Sequence, residues 1–349
     1  MKLKYLNTLH GRLKLPAFFP DATYGQVKSI KIKDLKKSKT QGIVVNALHL
    51  FQRKNVPIIK RWGGIHKYIG FQKPIISDSG GFQVMSLIHK NPKLGKITEK
   101  GATFIHNNKR IELTPEKCIE IQLNIGSDIV MCLDDCTKPE LNIKEQLKSV
   151  KRTIRWAKRC RTHFDKLTKN KKKKPLLFAI IQGGENKKLR KKCAEELLKL
   201  NFEGYSFGGW PVKNRKLLKG ILKYTSNLIP NQYPKYAMGI GKPQDVIECA
   251  NLGYNLFDCV IPTREARHKR LYIFHKNPKK SLKNSFSFVK INLKSKNSEK
   301  KISNFCDCKL CLNYNQKELF EMFRKESEKA KKLSTIHNLR FYSMLMEQL

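Results

Sequence analysis

Eight short apolar runs are spread along the chain, and each closes at its C-terminal edge on a polar residue or a glycine. Residues 17–20 run up to Asp21, 43–45 to Asn46, 75–76 to Asp78, and 129–133 to Asp134. Residues 176–181 run up to Gln182, 205–207 to Gly208 and Gly209, 236–238 to Gly239, and 256–257 to Asp258. Runs of this length, bounded by turn residues, read as buried strands. Between most of them apolar residues recur at helical spacing, most clearly over 115–123, 143–165, 187–200 and 243–252, with Asn186 and Lys242 or Pro243 where caps and first turns belong. Eight alternations of strand and helix predict an α/β fold, the (β/α)8 or TIM barrel, in which all strand C-termini share one face. Asp78, Asp134, Gln182 and Asp258 are therefore expected to converge on a single pocket.

A chain of 349 residues that is 40% hydrophobic has material for such a barrel of about 250 residues and for an appendage. The division is expected near residue 275, where the alternation gives way to an irregular stretch over 276–304, rich in Lys, Ser and Asn, with one short strand over 286–293. This makes 1–275 the catalytic barrel and 276–349 a subdomain of a cysteine cluster and C-terminal helices. The N-terminus has no continuous apolar stretch of the signal-peptide kind, and no run reaches the roughly 18 apolar residues of a membrane span. A cytoplasmic protein without membrane association is expected. The balance of 72 Lys+Arg against 28 Asp+Glu, formally +44, favours a polyanionic partner through counterion release, or reflects a lysine-rich composition spread over solvated faces.

Ten cysteines in such a chain read as reduced thiols or metal ligands rather than as a disulfide framework. Cys306, Cys308 and Cys311 form C-x-C-x2-C, and His337 follows after a predicted helix that would return the chain to the cluster. Three thiolates and one imidazole make a closed tetrahedral set suited to one structural Zn2+. Cys118, Cys160, Cys193 and Cys249 fall on apolar helix faces and are assigned to the core.

At Ser77-Asp78-Ser79-Gly80-Gly81-Phe82-Gln83-Val84 and at Phe257-Asp258-Cys259-Val260-Ile261-Pro262-Thr263-Arg264, the sequence resembles the tRNA-guanine transglycosylases of bacterial type. Asp134-Asp135-Cys136, Ile181-Gln182-Gly183-Gly184, Gly208-Gly209, the 238–243 segment Met-Gly-Ile-Gly-Lys-Pro, the cysteine set and the closing 335–342 segment all follow in that family's order, so the resemblance covers essentially the whole chain. It implies a zinc-bearing TIM barrel that exchanges guanine at wobble position 34 of tRNAs for aspartate, asparagine, histidine and tyrosine for a 7-deazaguanine. The incoming base is either the 7-aminomethyl precursor or queuine. The resemblance also implies a homodimer. The alternative class is a non-catalytic RNA-binding partner subunit, against which the retention of Asp258 and Asp78 argues.

The residues suit that chemistry. Replacing a base without cutting the strand needs a nucleophile that attacks C1′ and later leaves, a task for a carboxylate. By resemblance this is Asp258, with Asp78 as the general acid and base. Guanine presents N1–H and N2–H2 donors beside its O6 acceptor; Asp134 fits the donors, and Gln182 with the Gly209 N–H fits the oxygen. Phe82 would stack on the base and Met238 close its other side. Lys242, Arg264 and Arg267 correspond to positions that grip the anticodon loop, whose target base must be splayed out to be reached.

Two departures from the family bear on the choice of base. Trp210, Pro211 and Asn214 replace a loop whose first peptide can flip to offer a carbonyl or an N–H. Pro211 has no N–H, so the site is expected to favour a 7-aminomethyl base and to take guanine back poorly. Asp21 replaces an apolar residue; it would pair with a cationic amine, accept from queuine hydroxyls, or cap the next helix. Cys136 and Val212 match bacterial members.

Overall fold

The computed structural model describes residues 3–282 and 284–349; Met1, Lys2 and Lys283, which fall inside the two expected segments, lie outside the described residues. Eight parallel strands make the central sheet: β1 Ala17–Pro20, β2 Ile43–Asn46, β3 Ile75–Asp78, β4 Ile129–Met131, β5 Leu176–Ile181, β6 Gly204–Phe207, β7 Lys235–Ala237 and β8 Leu256–Cys259. Their spatial order is β1-β8-β7-β6-β5-β4-β3-β2. The ring closes between β1 and β2 through a parallel bridge from Asp21 to Val44, where the Ala22 N–H donates to the Val44 carbonyl at 2.8 Å. Phe19, Ile76, Met131, Phe178, Tyr236 and Leu256 fill one buried cluster, while a larger cluster lies between strands and helices around Trp156, Phe164 and Cys193. This two-layer core is what strands buried on both faces require, and it explains why they read as continuous apolar runs.

The expected helices are present as Pro115–Ile125, Ile143–Thr168, Lys187–Leu198 and Pro243–Asn251. Asn186 caps the third through a bond from the Leu189 N–H at 3.0 Å, and Pro243 opens the fourth after Lys242. β7 begins on Lys235, one residue before the apolar run, because that lysine is buried and its Nζ donates to the Ser226 carbonyl at 2.7 Å and to Asn231 at 3.1 Å. β4 stops at Met131, leaving Cys132 and Leu133 buried beyond the ladder.

The barrel carries additions that the hydrophobic pattern does not announce. A hairpin of Tyr5–Thr8 and Gly11–Lys14 precedes β1, and a three-stranded sheet of Gly95–Ile97, Ala102–His106 and Lys109–Leu113 is inserted between β3 and β4. The strand Phe286–Lys290 pairs antiparallel with Arg270–Phe274, so a hairpin crosses residue 275. The C-terminal helix Ser327–Glu347 lies on the barrel wall: Tyr342 packs on Phe18 of β1 with ring centroids 4.5 Å apart, Lys332 pairs with Asp34 at 3.0 Å, and Asn338 donates to the Pro262 and Arg270 carbonyls at 3.0 Å each. Among the described residues no helix is long and apolar enough to cross a membrane.

Candidate active site and metal centre

The strand C-termini open on a cavity of about 490 Å³ lined by Asp21, Asp78, Phe82, Asp134, Met238 and Asp258, together with Gly209, Trp210 and Pro211. Asp258 is the penultimate residue of β8, where its Oδ1 accepts from the Tyr236 hydroxyl at 2.7 Å and from the Gly239 N–H at 2.8 Å. Asp78 ends β3 opposite Asn46 of β2, whose Nδ2 donates to its Oδ2 at 3.0 Å. None of these carboxylates caps a helix; the capping side chains are Asn46, Asn91, Thr114, Asn142, Asn186, Asn292 and Asn315. Asp21 likewise is no cap: it accepts from the Thr23 hydroxyl at 2.6 Å and faces the cavity.

Several acids in one desolvated space cannot all ionise easily. Burial, then the charge of Asp258, pushes Asp78 up to about 6. Asp134 is pushed up to about 7, chiefly by burial, with Asp78 and Asp135 adding to it. Asp258 is also raised by burial, against which the Gly239 and Tyr236 donors work. A carboxyl near 6 is poised to give and take a proton around neutrality.

Gln182, just past the end of β5, stands behind the cavity wall, donates from Nε2 to Asp134 Oδ2 at 2.6 Å, and also reaches the Cys136 thiol with its side chain. The Gly208 and Gly209 turn packs directly against it: a Cβ on Gly208 would come within 2.6 Å of the Gln182 amide, and Gly209 adopts φ +87°. Phe82 is 41% exposed, which removes a core role, and its ring meets Trp210 edge-on at 5.4 Å. Trp210 is tied by its indole N–H to the Thr137 carbonyl at 3.1 Å, and the Pro211 carbonyl accepts from the Leu218 N–H at 2.9 Å. Asn214 and Arg215 both have positive φ, 50° and 63°, at the tip of the hairpin Val212–Lys213 and Lys216–Leu217. That is the primed turn a two-residue hairpin needs, and it accounts for Asn214 by backbone conformation.

Lys242, Arg264 and Arg267 lie outside the cavity lining, on the helices that follow β7 and β8. Arg264 is half exposed beside Glu265, whereas Arg267 is partly buried and its Nη1 has no partner among the described residues.

Cys306, Cys308, Cys311 and His337 come together, all buried, with their ligand atoms within 4.8 Å of one another. His337 Nδ1 lies 3.5 Å from Cys308 Sγ and 3.1 Å from Cys311 Sγ, while Nε2 sits 2.8 Å from the Tyr272 carbonyl. That carbonyl holds the Nε2 proton and turns Nδ1 toward the thiols, the orientation a ligating imidazole needs. The cluster therefore offers three soft sulfurs and one nitrogen to a metal ion.

The sequence reading missed Tyr236 and Asn46 as contacts of the two carboxylates. Tyr236 stood inside an apolar run, and its hydroxyl was the signal: a buried phenol needs a partner. Asn46 was visible only as the end of β2.

Comparison with known proteins finds relatives along nearly the whole chain. A family model described as queuine tRNA-ribosyltransferase matches residues 2–349. The chain is 41% identical to a queuine tRNA-ribosyltransferase of Blochmanniella floridana, over 97% of this chain and 86% of that protein. It is 40% identical to one of Baumannia cicadellinicola, over 97% and 88%, and 39% identical to one of Mannheimia succiniciproducens, over 97% and 85%.

Proposed function

The chain belongs to the queuine tRNA-ribosyltransferase family, pentosyltransferases that exchange guanine in tRNA, and from that premise we propose how its own residues divide the work. Asp258 attacks C1′ of the target nucleoside and holds the ribose as a glycosyl ester. Asp78 protonates the departing guanine, then takes a proton from the incoming 7-deazaguanine, whose nitrogen displaces Asp258. Two displacements at one carbon retain its configuration. The observation that carries this reading is the pairing of environments. Asp258 is oriented by a phenol and a backbone N–H, while Asp78, pushed up to about 6, sits across the same cavity.

Asp134 accepts from guanine N1–H and N2–H2, Gln182 and Gly209 donate to O6, and Phe82 and Met238 sandwich the ring. Lys242, Arg264 and Arg267, on the helices that follow β7 and β8, bind the anticodon loop. The substrates are the tRNAs for aspartate, asparagine, histidine and tyrosine, at guanine 34. The cysteine and histidine cluster holds one structural Zn2+, a closed donor set with no position left for substrate. Residues 1–275 form the catalytic unit and 276–349 its metal-stapled appendage. Exposed Phe288, Leu293 and Leu312 on the appendage suit a homodimer contact, and the enzyme works in the cytoplasm.

The test is transfer onto unmodified tRNA with guanine at position 34, read by mass spectrometry of the wobble nucleoside with the 7-aminomethyl base, queuine and labelled guanine offered in turn. Incorporation of one deazaguanine supports the assignment; tRNA binding without exchange of any base would make the chain a partner subunit.

A further inference from the structure

Arg190 is 1% exposed, yet among the described residues no carboxylate pairs with it. It stands in the first turn of helix Lys187–Leu198, whose dipole disfavours a cation at that end. Burial pushes its guanidinium down to about 10. A buried, unpaired cation at the wrong end of a helix is costly, so its position calls for a use.

Its contacts are three backbone carbonyls. Nε donates to Gly184 at 2.9 Å, Nη1 to Ile181 at 2.6 Å and Nη2 to Gly208 at 2.9 Å, while its plane lies 4.0 Å over the Phe207 ring. The two loops it ties carry Gln182 and Gly209. The Ile181 carbonyl also accepts from the Gly208 N–H at 2.9 Å, so both loop ends are anchored on one oxygen. The glycines are fitted to this clamp: a Cβ on Gly183 would lie 2.7 Å from the Arg190 backbone nitrogen.

A trans peptide holds its carbonyl and its N–H antiparallel. With the Gly208 carbonyl fixed on Arg190, the Gly209 N–H is turned the opposite way, toward the cavity that Gly209 lines. A charge-assisted bond to that carbonyl also polarises the peptide and strengthens its N–H as a donor.

We propose that Arg190 is a positioning residue for recognition of the six-position oxygen of the base, acting through the Gly208–Gly209 peptide. This rests on the reading of Gly209 and Gln182 as the O6-binding pair. Guanine and 6-thioguanine share N1–H and N2–H2 and differ in the acceptor at that position, so their affinity ratio isolates the effect.

Inhibition of exchange by each base is measured on the zinc-loaded enzyme and on Arg190→Met and Arg190→Lys. The methionine variant is expected to lose about tenfold in guanine affinity, with 6-thioguanine affected by less than about threefold. The lysine variant, keeping the charge, should fall between. Equal loss of both bases would make Arg190 a structural clamp only and overturn the proposal. If the methionine variant does not fold, the lysine variant decides by the same ratio. If neither folds, the slowly exchanging guanidinium resonances of the wild type decide: they shift with guanine and less with 6-thioguanine if the coupling is present, and equally or not at all if it is absent. Failure of the underlying reading looks different, since wild-type enzyme would then bind both bases equally.

Discussion

Asp128 and Asp134 flank the same strand, β4, and both are buried, yet their surroundings drive them apart. Burial raises both. At the start of the strand Asp128 accepts from the His10 and Ile75 N–H groups at 2.8 Å each, and its oxygens meet the His66 and His10 rings at 2.9 and 3.0 Å. These donors outweigh burial and hold its carboxyl below the usual range. At the other end Asp134 has the Gln182 amide and acidic neighbours, and it is pushed up to about 7. One end of the barrel is satisfied from within; the other is left short of donors that a purine edge would supply. Such a division is the physical content of a barrel whose bottom serves stability and whose top serves chemistry.

The largest break in this contrast is at the top. Asp258→Asn is expected to lower base exchange by at least about 10⁴-fold, since no nucleophile remains, while the protein still folds and binds tRNA. Single-turnover exchange and a denaturing gel for the enzyme–tRNA adduct check both halves; an adduct formed by the variant would refute the assignment of Asp258.

Next come the two ends of β4. Asp134→Asn should lose about 10²–10³ in exchange, yet hold or gain stability. Its folded pKa is raised, so the contribution of Asp134 is intact below the ordinary carboxylate range and lost as pH rises through about 7. The Asn variant escapes that loss and should exceed the wild type in thermal stability at pH 8 but not at pH 4. Asp128→Asn should do the reverse, leaving the exchange rate of folded enzyme unchanged and costing about 2–4 kcal/mol, because two N–H groups and two imidazoles lose a shared acceptor. The stabilisation by Asp128 is present above the ordinary carboxylate range and is lost as pH falls through its lowered folded value. Denaturant melts of both variants from pH 3 to 8 would show opposite slopes, or else the contrast is wrong.

A smaller effect is expected from metal removal. Chelation should lower the melting temperature and release the appendage, with protease cuts appearing first near Cys306, and it should slow exchange only as the C-terminal helix leaves the wall beside β1. Loss of exchange with no change in the melt would instead place the metal in the chemistry.

The barrel was legible because strands buried on both faces write continuous apolar runs, and their polar endings marked the cavity before any geometry was known. The set of three cysteines and one histidine was legible from spacing. What escaped was polar structure. Lys235 opens β7 although no hydrophobic pattern includes a lysine, and the hairpin before β1 and the sheet between β3 and β4 are short and half exposed. Tyr236 and Asn46 each reach a carboxylate through one hydrogen bond to a residue distant in sequence, and Arg190 ties three backbone carbonyls, which no local pattern encodes. Asn214, which the sequence sets among the departures from the family, owes its place to a left-handed backbone.

The finest difference concerns which base the satisfied and unsatisfied walls prefer. Beside Asp134 the loop at Trp210 and Pro211 is held by bonds to Thr137 and Leu218, and the peptide into Pro211 carries no N–H, so it has a carbonyl alone to offer. Across the cavity Asp21 adds a further carboxylate, steadied by Thr23. Both features favour a cationic aminomethyl group over an unsubstituted guanine. Back-exchange of labelled guanine should therefore run about tenfold slower than incorporation of the 7-aminomethyl base, and Pro211→Ala should narrow the gap by restoring a donor. Asp21→Ala should weaken the amine-bearing base by about threefold to tenfold and leave guanine nearly unchanged, the size of one partly solvated charge contact. Equal weakening of both bases would mean that Asp21 shapes the cavity without reading the substituent, and preference would then rest on the proline loop alone.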